Sequence, residues 1–97
     1  MDNIITKEKL EHYFDLTGRA LKKVKIHSLS KEDTKKAEDF LDMATRYYSD
    51  ARFFYDKNDY VNAFAALNYA HGWLDAGARI YLFDVDKDNI LFTVDDD

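Results

Sequence analysis

The sequence predicts an all-α protein, and three observations carry that prediction. The chain of 97 residues contains no proline and only three glycines, whereas sheet proteins of this size usually need more turn residues. Apolar residues recur at intervals of three and four, which is the pattern of helices with one buried face. Good N-cap residues precede the apolar runs. We therefore expect one domain, residues 1–97, folded as an antiparallel three-helix bundle with a short C-terminal extended tail.

The first helix is expected over residues 6–26. Thr6 can cap its N-terminus, and Glu8 lies where a carboxylate interacts favourably with the helix dipole. The side chains that should form its buried face are Leu10, Tyr13, Phe14, Thr17, Ala20, Leu21 and Val24.

The second helix is expected over residues 31–56. Ser30 is a good N-cap, and Glu32 and Asp33 place acids in the first turn. The apolar pattern that follows is the cleanest in the chain. It predicts that the large side chains on this face are buried, namely Phe40, Tyr47 and Phe54.

The third helix is expected over residues 60–83, capped by Asp59, and it carries two apolar stripes. The first is expected in the core and includes Leu67, Ala70 and Leu74. The second lies roughly 120° away on the helical wheel. We call this second set the aromatic stripe: Tyr69, Trp73, Ala76 and Ile80. A bundle helix packed on two neighbours needs a wide apolar surface, but part of this stripe should need a further cover, which we expect the tail or a second copy to supply.

Two glycines, Gly72 and Gly77, lie inside the predicted third helix. Each costs about 1 kcal/mol relative to alanine in a helix. We expect them to allow a close approach between helices.

The tail, residues 84–97, carries the whole net charge of −5, since residues 1–83 hold 13 acidic and 13 basic side chains. A basic segment from Arg19 to Lys36 holds seven lysines and arginines against two acids. In an antiparallel bundle the first helix ends beside the start of the tail. We expect the tail to lie near the basic segment and to shield it from polyanions, with the apolar residues 90–94 folded over the bundle and Asp95, Asp96 and Asp97 disordered.

Polar residues spaced by three and four also share one side of the third helix. We call them the polar stripe: Asn68, His71, Asp75 and Arg79. A histidine and a carboxylate one turn apart could bind a metal or transfer protons. The simpler interpretation, which we favour, is an ion pair between Asp75 and Arg79, with His71 at the edge of the core.

Two other patterns have a chemical interpretation and a simpler one. The acids Asp84, Asp86 and Asp88 resemble the start of an EF-hand loop, but Asn89 replaces the required glycine and Asp95 the bidentate glutamate. The basic segment could contact phosphates, although a solvated helix end explains it as well. We expect no metal, no cofactor and no catalytic residues, and we regard nucleic acid as an unfavoured partner.

The cysteine content and the hydropathy pattern exclude further classes. With no cysteine, the chain can have neither disulfides nor thiolate zinc sites. No apolar stretch has the length of a signal peptide or of a membrane span. We expect a cytoplasmic protein without a membrane partner.

Most of the chain resembles a known family. Residues 59–79, DYVNAFAALNYAHGWLDAGAR, look like the signature of an archaeal family catalogued as domain of unknown function 357. Residues 50–54, DARFF, and residues 91–94, LFTV, are similar to it as well. The resemblance spans residues 10–94. It implies a three-helix bundle without an established activity, and it supplies no catalytic residues.

Two functions remain open at this point. We favour a small non-enzymatic protein-interaction module that contacts itself or another protein through a helix face. The alternative is a small-molecule or nucleic-acid binding domain that uses the polar stripe or the basic segment.

Overall fold

Three α-helices account for most of the chain in the computed structural model, which describes residues 3–27 and 29–94. Helix α1 spans Lys7–Lys23, α2 spans Lys31–Asp56 and α3 spans Tyr60–Arg79. The prediction of an all-α three-helix bundle is confirmed. The three terminal aspartates, which we expected to be disordered, lie outside the described residues.

The three predicted N-caps each bond the backbone of their helix. Thr6 Oγ1 accepts a hydrogen bond from the backbone N–H of Lys9 over 3.1 Å, and Ser30 Oγ accepts one from Asp33 over 3.1 Å. Asp59 Oδ1 accepts one from Asn62 over 3.2 Å. Each bond satisfies an N–H group that has no partner within its helix, which explains why all three helices begin where the sequence predicts.

The core lies along α3, which packs more extensively on α2 than on α1. The face of α2 that packs in the core is formed by small residues: Ala37, Ala44 and Ala51 are fully buried. The prediction that Leu67, Ala70 and Leu74 are buried is confirmed. The prediction is wrong for Phe40, Tyr47 and Phe54, which are only half-buried. The alanines occupy the centre of the α2 contact face, so the aromatic rings lie along its edge.

Helix α3 ends at Arg79, four residues before the predicted end at residue 83. Tyr81 adopts a left-handed backbone conformation with φ 64°, which turns the chain back. The backbone N–H groups of Leu82 and Phe83 then both bond the carbonyl of Gly77, over 2.8 and 3.2 Å. This arrangement satisfies a carbonyl at the helix end, as C-terminal capping motifs do. Helix α1 also ends early, because Val24 is extended.

The glycines of α3 have different surroundings from those we expected. A Cβ atom at Gly77 would overlap the ring of Phe83, so this glycine makes room for the chain just after α3 and not for a neighbouring helix. A Cβ at Gly72 would meet no atom within 4 Å. The close approach between helices occurs at Gly18 of α1, where a Cβ would lie 2.9 Å from the hydroxyl of Tyr48 on α2.

The chain after α3 is part of the core. Five of its side chains are at least nine-tenths buried: Leu82, Phe83, Val85, Leu91 and Phe92. Its start pairs with the end of α1 through an antiparallel bridge, in which Asp84 N–H donates to Lys25 O over 2.8 Å and Lys25 N–H donates to Asp84 O over 3.1 Å. The expected proximity of tail and basic segment is therefore confirmed. Within the described part of the chain, no helix is both long enough and apolar enough to cross a membrane.

Candidate functional site

The polar stripe of α3 lies against the tail. His71 is half-buried, and its Nε2 lies 2.7 Å from the carbonyl oxygen of Leu91. Its Nδ1 lies 3.0 Å from the hydroxyl of Thr17 on α1. A carbonyl can only accept, so Nε2 carries the proton that bonds Leu91, and Nδ1 of the neutral ring accepts from Thr17. His71 thus joins α1, α3 and the tail.

Asp75 bonds the next residues of the tail. Its Oδ1 accepts a hydrogen bond from Thr93 N–H over 2.9 Å, and its Oδ2 accepts one from the Thr93 hydroxyl over 3.3 Å. The carboxylate also lies 3.9 Å from His71 Nε2. Both oxygens therefore have partners in the tail, whereas the sequence predicted an ion pair with Arg79. In the residues that the structure covers, no group of three acidic or histidine side chains could hold a metal ion.

A small cavity beside the polar stripe is the place where a ligand would meet these residues. It has a volume of about 260 Å³, and Asn68, His71 and Asp75 contribute to its lining. The polar atoms of His71 and Asp75 already bond the chain itself. Asn68 is the exposed residue of the three. The cavity therefore offers a ligand few converging polar groups, which are what fix the orientation of a bound small molecule.

The aromatic stripe lies on the other side of α3 and remains largely exposed. Tyr69 is 55% exposed and Ile80 is 56% exposed. Of the two covers expected for this stripe, the described part of the tail is not one, because it bonds His71 and Asp75 instead, and cover by a second copy stays a prediction. Trp73 is half-buried, with its ring 4.9 Å from that of Phe40 on α2.

A shallow apolar groove runs between this face of α3 and the edge of α2. Its volume is about 490 Å³. Its lining residues are Phe40, Ala65, Asn68, Tyr69, Gly72, Trp73 and Ala76. The Nε1–H of Trp73 is buried beneath it, and none of the described residues accepts a hydrogen bond from that group. A buried donor without an acceptor costs about 1–3 kcal/mol, so this N–H group is an energetically unfavourable feature of the face.

Sequence reasoning missed a second groove, at the end of the bundle where α1 and α3 finish. Its volume is about 440 Å³. It is lined by His27, Arg79, Tyr81, Phe83, Asp84, Val85, Lys87 and Val94. These residues come from the α1–α2 connection, the end of α3 and the tail. No local spacing relates them, so only the folded tail brings them together.

The acids of the tail organise the loop in which they lie. Asp84 Oδ1 accepts a hydrogen bond from Asp86 N–H over 3.0 Å. Asp88 Oδ1 accepts one each from Ile90 N–H and Leu91 N–H, both over 3.0 Å. The bond from Leu91 is the main cause that lowers the pKa of Asp88. Asp86 lies 3.6 Å from Lys23, so one acid of the tail pairs with the basic segment.

The most strongly shifted titratable group lies away from both grooves. Tyr55 of α2 donates a hydrogen bond to Glu11 of α1 over 2.8 Å. That bond first, and burial second, raise the pKa of Tyr55 to about 12. Tyr55 lines none of these three cavities. We therefore interpret its hydrogen bond to Glu11 as a structural contact between two helices.

Comparison with known proteins identifies a family and nothing finer. Residues 12–83 match the family model described as "Protein of unknown function (DUF357)". This match covers α2 and α3 completely and most of α1. No curated protein and no solved structure matches the chain.

Proposed function

Because the chain belongs to the DUF357 family, whose description names no activity, we propose a function from geometry: a non-enzymatic protein-interaction module that self-associates through the exposed face of α3. The observation that carries this proposal is the uncharged apolar groove beside Tyr69 and Trp73. Apolar grooves bordered by exposed aromatic side chains are typical of protein contact surfaces.

The charge pattern of α3 supports a contact face. Between Tyr60 and Ala78, the only acidic or basic residue apart from His71 is Asp75, whose carboxylate bonds the tail. The surface residues of the groove therefore offer no charge that would favour water over an apolar partner. Val61 extends the same exposed surface toward the start of α3, with 69% of its area accessible.

The arrangement of large and small side chains favours a second copy as the partner. Ala65, Tyr69, Gly72, Ala76 and Ile80 fall within an arc of about 80° on the helical wheel. When two such helices pack antiparallel about a point between residues 72 and 73, Ile80 of each copy faces Ala65 of the other. In the same register Tyr69 faces Ala76. A two-fold interface needs this kind of self-complementarity, with large residues opposite small ones.

The test is the oligomeric state of the purified protein. We expect sedimentation equilibrium to show a concentration-dependent dimer for the unmodified chain. Ala76→Arg should be monomeric, because Ala76 is exposed in the groove and a long charged side chain there blocks the contact. Ser49→Arg adds the same side chain at an exposed position of α2 outside the groove, and should dimerise like the unmodified chain. Ala76 is a better probe than Trp73, whose contact with Phe40 makes Trp73→Glu disturb the fold as well.

A crosslinking experiment tests the register. The chain has no cysteine, so a single introduced thiol can form a disulfide only between copies. Gly72→Cys lies next to the proposed two-fold axis, and there is space for its side chain. We expect it to form a crosslinked dimer under mild oxidation, and Ser49→Cys to form little. A monomeric unmodified chain, or equal crosslinking of the two variants, would contradict the proposal.

A further inference from the structure

The groove at the end of the bundle has a basic rim and an apolar wall. Among the lining residues that the structure describes, His27, Arg79 and Lys87 are basic and Asp84 is acidic. Asp84 Oδ1 already accepts a hydrogen bond from Asp86 N–H. The apolar wall consists of Phe83, Val85 and Val94, with Tyr81 beside it. A charged rim over an apolar wall fits a ligand that has one anionic end and one ring-like end.

His27 is held in place at this rim by the backbone. Its Nε2 lies 2.9 Å from the carbonyl oxygen of Tyr81, so Nε2–H donates this bond. None of the described residues bonds its other nitrogen, Nδ1. The bond to Tyr81 therefore fixes the ring while Nδ1 remains for a ligand.

Lys87 occupies a position that disfavours lysine. Asp88 N–H bonds the carbonyl of Val85 over 3.0 Å, and the two residues between them, Asp86 and Lys87, have φ of 53° and 57°. This is a turn of the type in which asparagine and glycine are strongly preferred, because both central residues are left-handed. A lysine at this position therefore does not stabilise the turn.

Left-handed residues other than glycine concentrate around this groove. Two of its lining residues, Tyr81 and Lys87, are left-handed, and Asp86 lies next to them. Residues held in unfavourable backbone conformations cluster at ligand sites, where the surrounding structure maintains them. Here the two conformations place an aromatic ring that is 78% exposed and a lysine at one groove.

We propose that this groove binds a small organic phosphate of nucleotide size. Lys87 would donate to the phosphate oxygens, and so would His27 through Nδ1–H in the protonated form of its ring, with Arg79 beside them, because hydrogen bonds between a cation and a phosphate are strong. The exposed ring of Tyr81 would stack on a base, and the apolar wall would cover the rest of the ligand. A volume of about 440 Å³ is within the range of small-molecule sites.

The first test is an amide chemical-shift titration with three probes: adenosine monophosphate, inorganic phosphate and adenosine. We expect the monophosphate to shift the amides of His27, Tyr81 and Lys87 saturably. Inorganic phosphate should shift the same amides with lower affinity, and adenosine should bind most weakly because it lacks the anion. Saturable binding of adenosine equal to that of the monophosphate, or no saturable shift at these residues, would overturn the proposal.

Variants at Lys87 separate a binding role from a structural one. Lys87→Asn removes the charge and places at this turn a residue that tolerates left-handed backbone, so the fold should be retained. We expect it to weaken binding of the monophosphate about tenfold, the size of one charge-assisted hydrogen bond, while Lys87→Arg binds nearly as well as the unmodified chain. Lys57→Asn is the control, since Lys57 lies in the turn at the other end of the bundle. Unchanged binding by Lys87→Asn, with the thermal melting temperature retained, would refute the assignment.

Discussion

The two flanks of α3 differ in what covers them. On one flank His71, Asp75 and Gly77 contact the chain that follows α3. A carbonyl bonds the imidazole, a backbone amide and a hydroxyl bond the carboxylate, and a phenyl ring covers the glycine. On the other flank Tyr69 and Ile80 stay exposed. The polar residues of a helix can therefore serve packing within the chain while its apolar residues stay exposed.

The largest effect on the unfolding free energy is expected from a substitution on the covered flank. Phe92 is 3% exposed and packs in the core, so Phe92→Ala should lower the free energy of unfolding by about 3–5 kcal/mol. Ile90, two residues earlier, is 84% exposed, and Ile90→Ala should change it by less than about 0.5 kcal/mol. Urea denaturation followed by circular dichroism measures both. Similar small losses in the two variants would show that the tail is not part of the core.

A matched pair of glycine substitutions sharpens the comparison. Gly77→Ala should destabilise the protein by about 1–3 kcal/mol, because its new methyl group overlaps the ring of Phe83. Gly72→Ala meets no atom and should stabilise it by up to about 1 kcal/mol through helix propensity. Thermal and urea unfolding give the sign of each change. If both substitutions changed the stability in the same direction, the proposed difference between the two flanks would be contradicted.

The smallest expected effect concerns the loop that positions the tail. The pKa of Asp88 is lowered in the folded state, mainly by the hydrogen bond from Leu91 N–H. The folded protein therefore binds this proton less readily than the unfolded chain. The stabilisation is fully present above a pH of about 4 and is lost as the pH falls through the folded pKa.

The control for Asp88 is Asp88→Asn, which keeps an acceptor oxygen but cannot titrate. Between neutral pH and pH 3, the unmodified chain should lose more unfolding free energy than this variant. Because Asp88 is only partly covered, solvent screening keeps the difference small. A larger loss in the variant would reverse the sign and contradict the assignment.

The sequence predicts the helices well and their surroundings less well. The N-caps Thr6, Ser30 and Asp59 are local signals, because each bonds an amide three residues away, and all three were predicted. The end of α3 depends on contacts of Gly77 with Leu82 and Phe83, which compete with continued helix. The helical spacing of apolar residues continues past Arg79, so the sequence pattern does not reveal these competing contacts.

The candidate sites show the same limit. The aromatic stripe lies on a single helix, so its spacing is visible in the sequence. The role of His71 depends on Thr17 and Leu91, which are 54 and 20 positions away in sequence. The groove of His27 and Lys87 exists only because the tail returns to the end of α1. Side chains that meet through such long-range contacts leave no periodic pattern.

The backbone bridge between Lys25 and Asp84 has a consequence for loop-closure entropy. It joins residues 59 positions apart, and closing a flexible loop of that length costs about 3–4 kcal/mol. Its two backbone hydrogen bonds return only about 1–3 kcal/mol net. The bridge therefore cannot form on its own account, and it exists because the packed helices have already brought the ends of α1 and α3 together. Its pairing is a product of the assembled bundle, and it persists only while the bundle is intact.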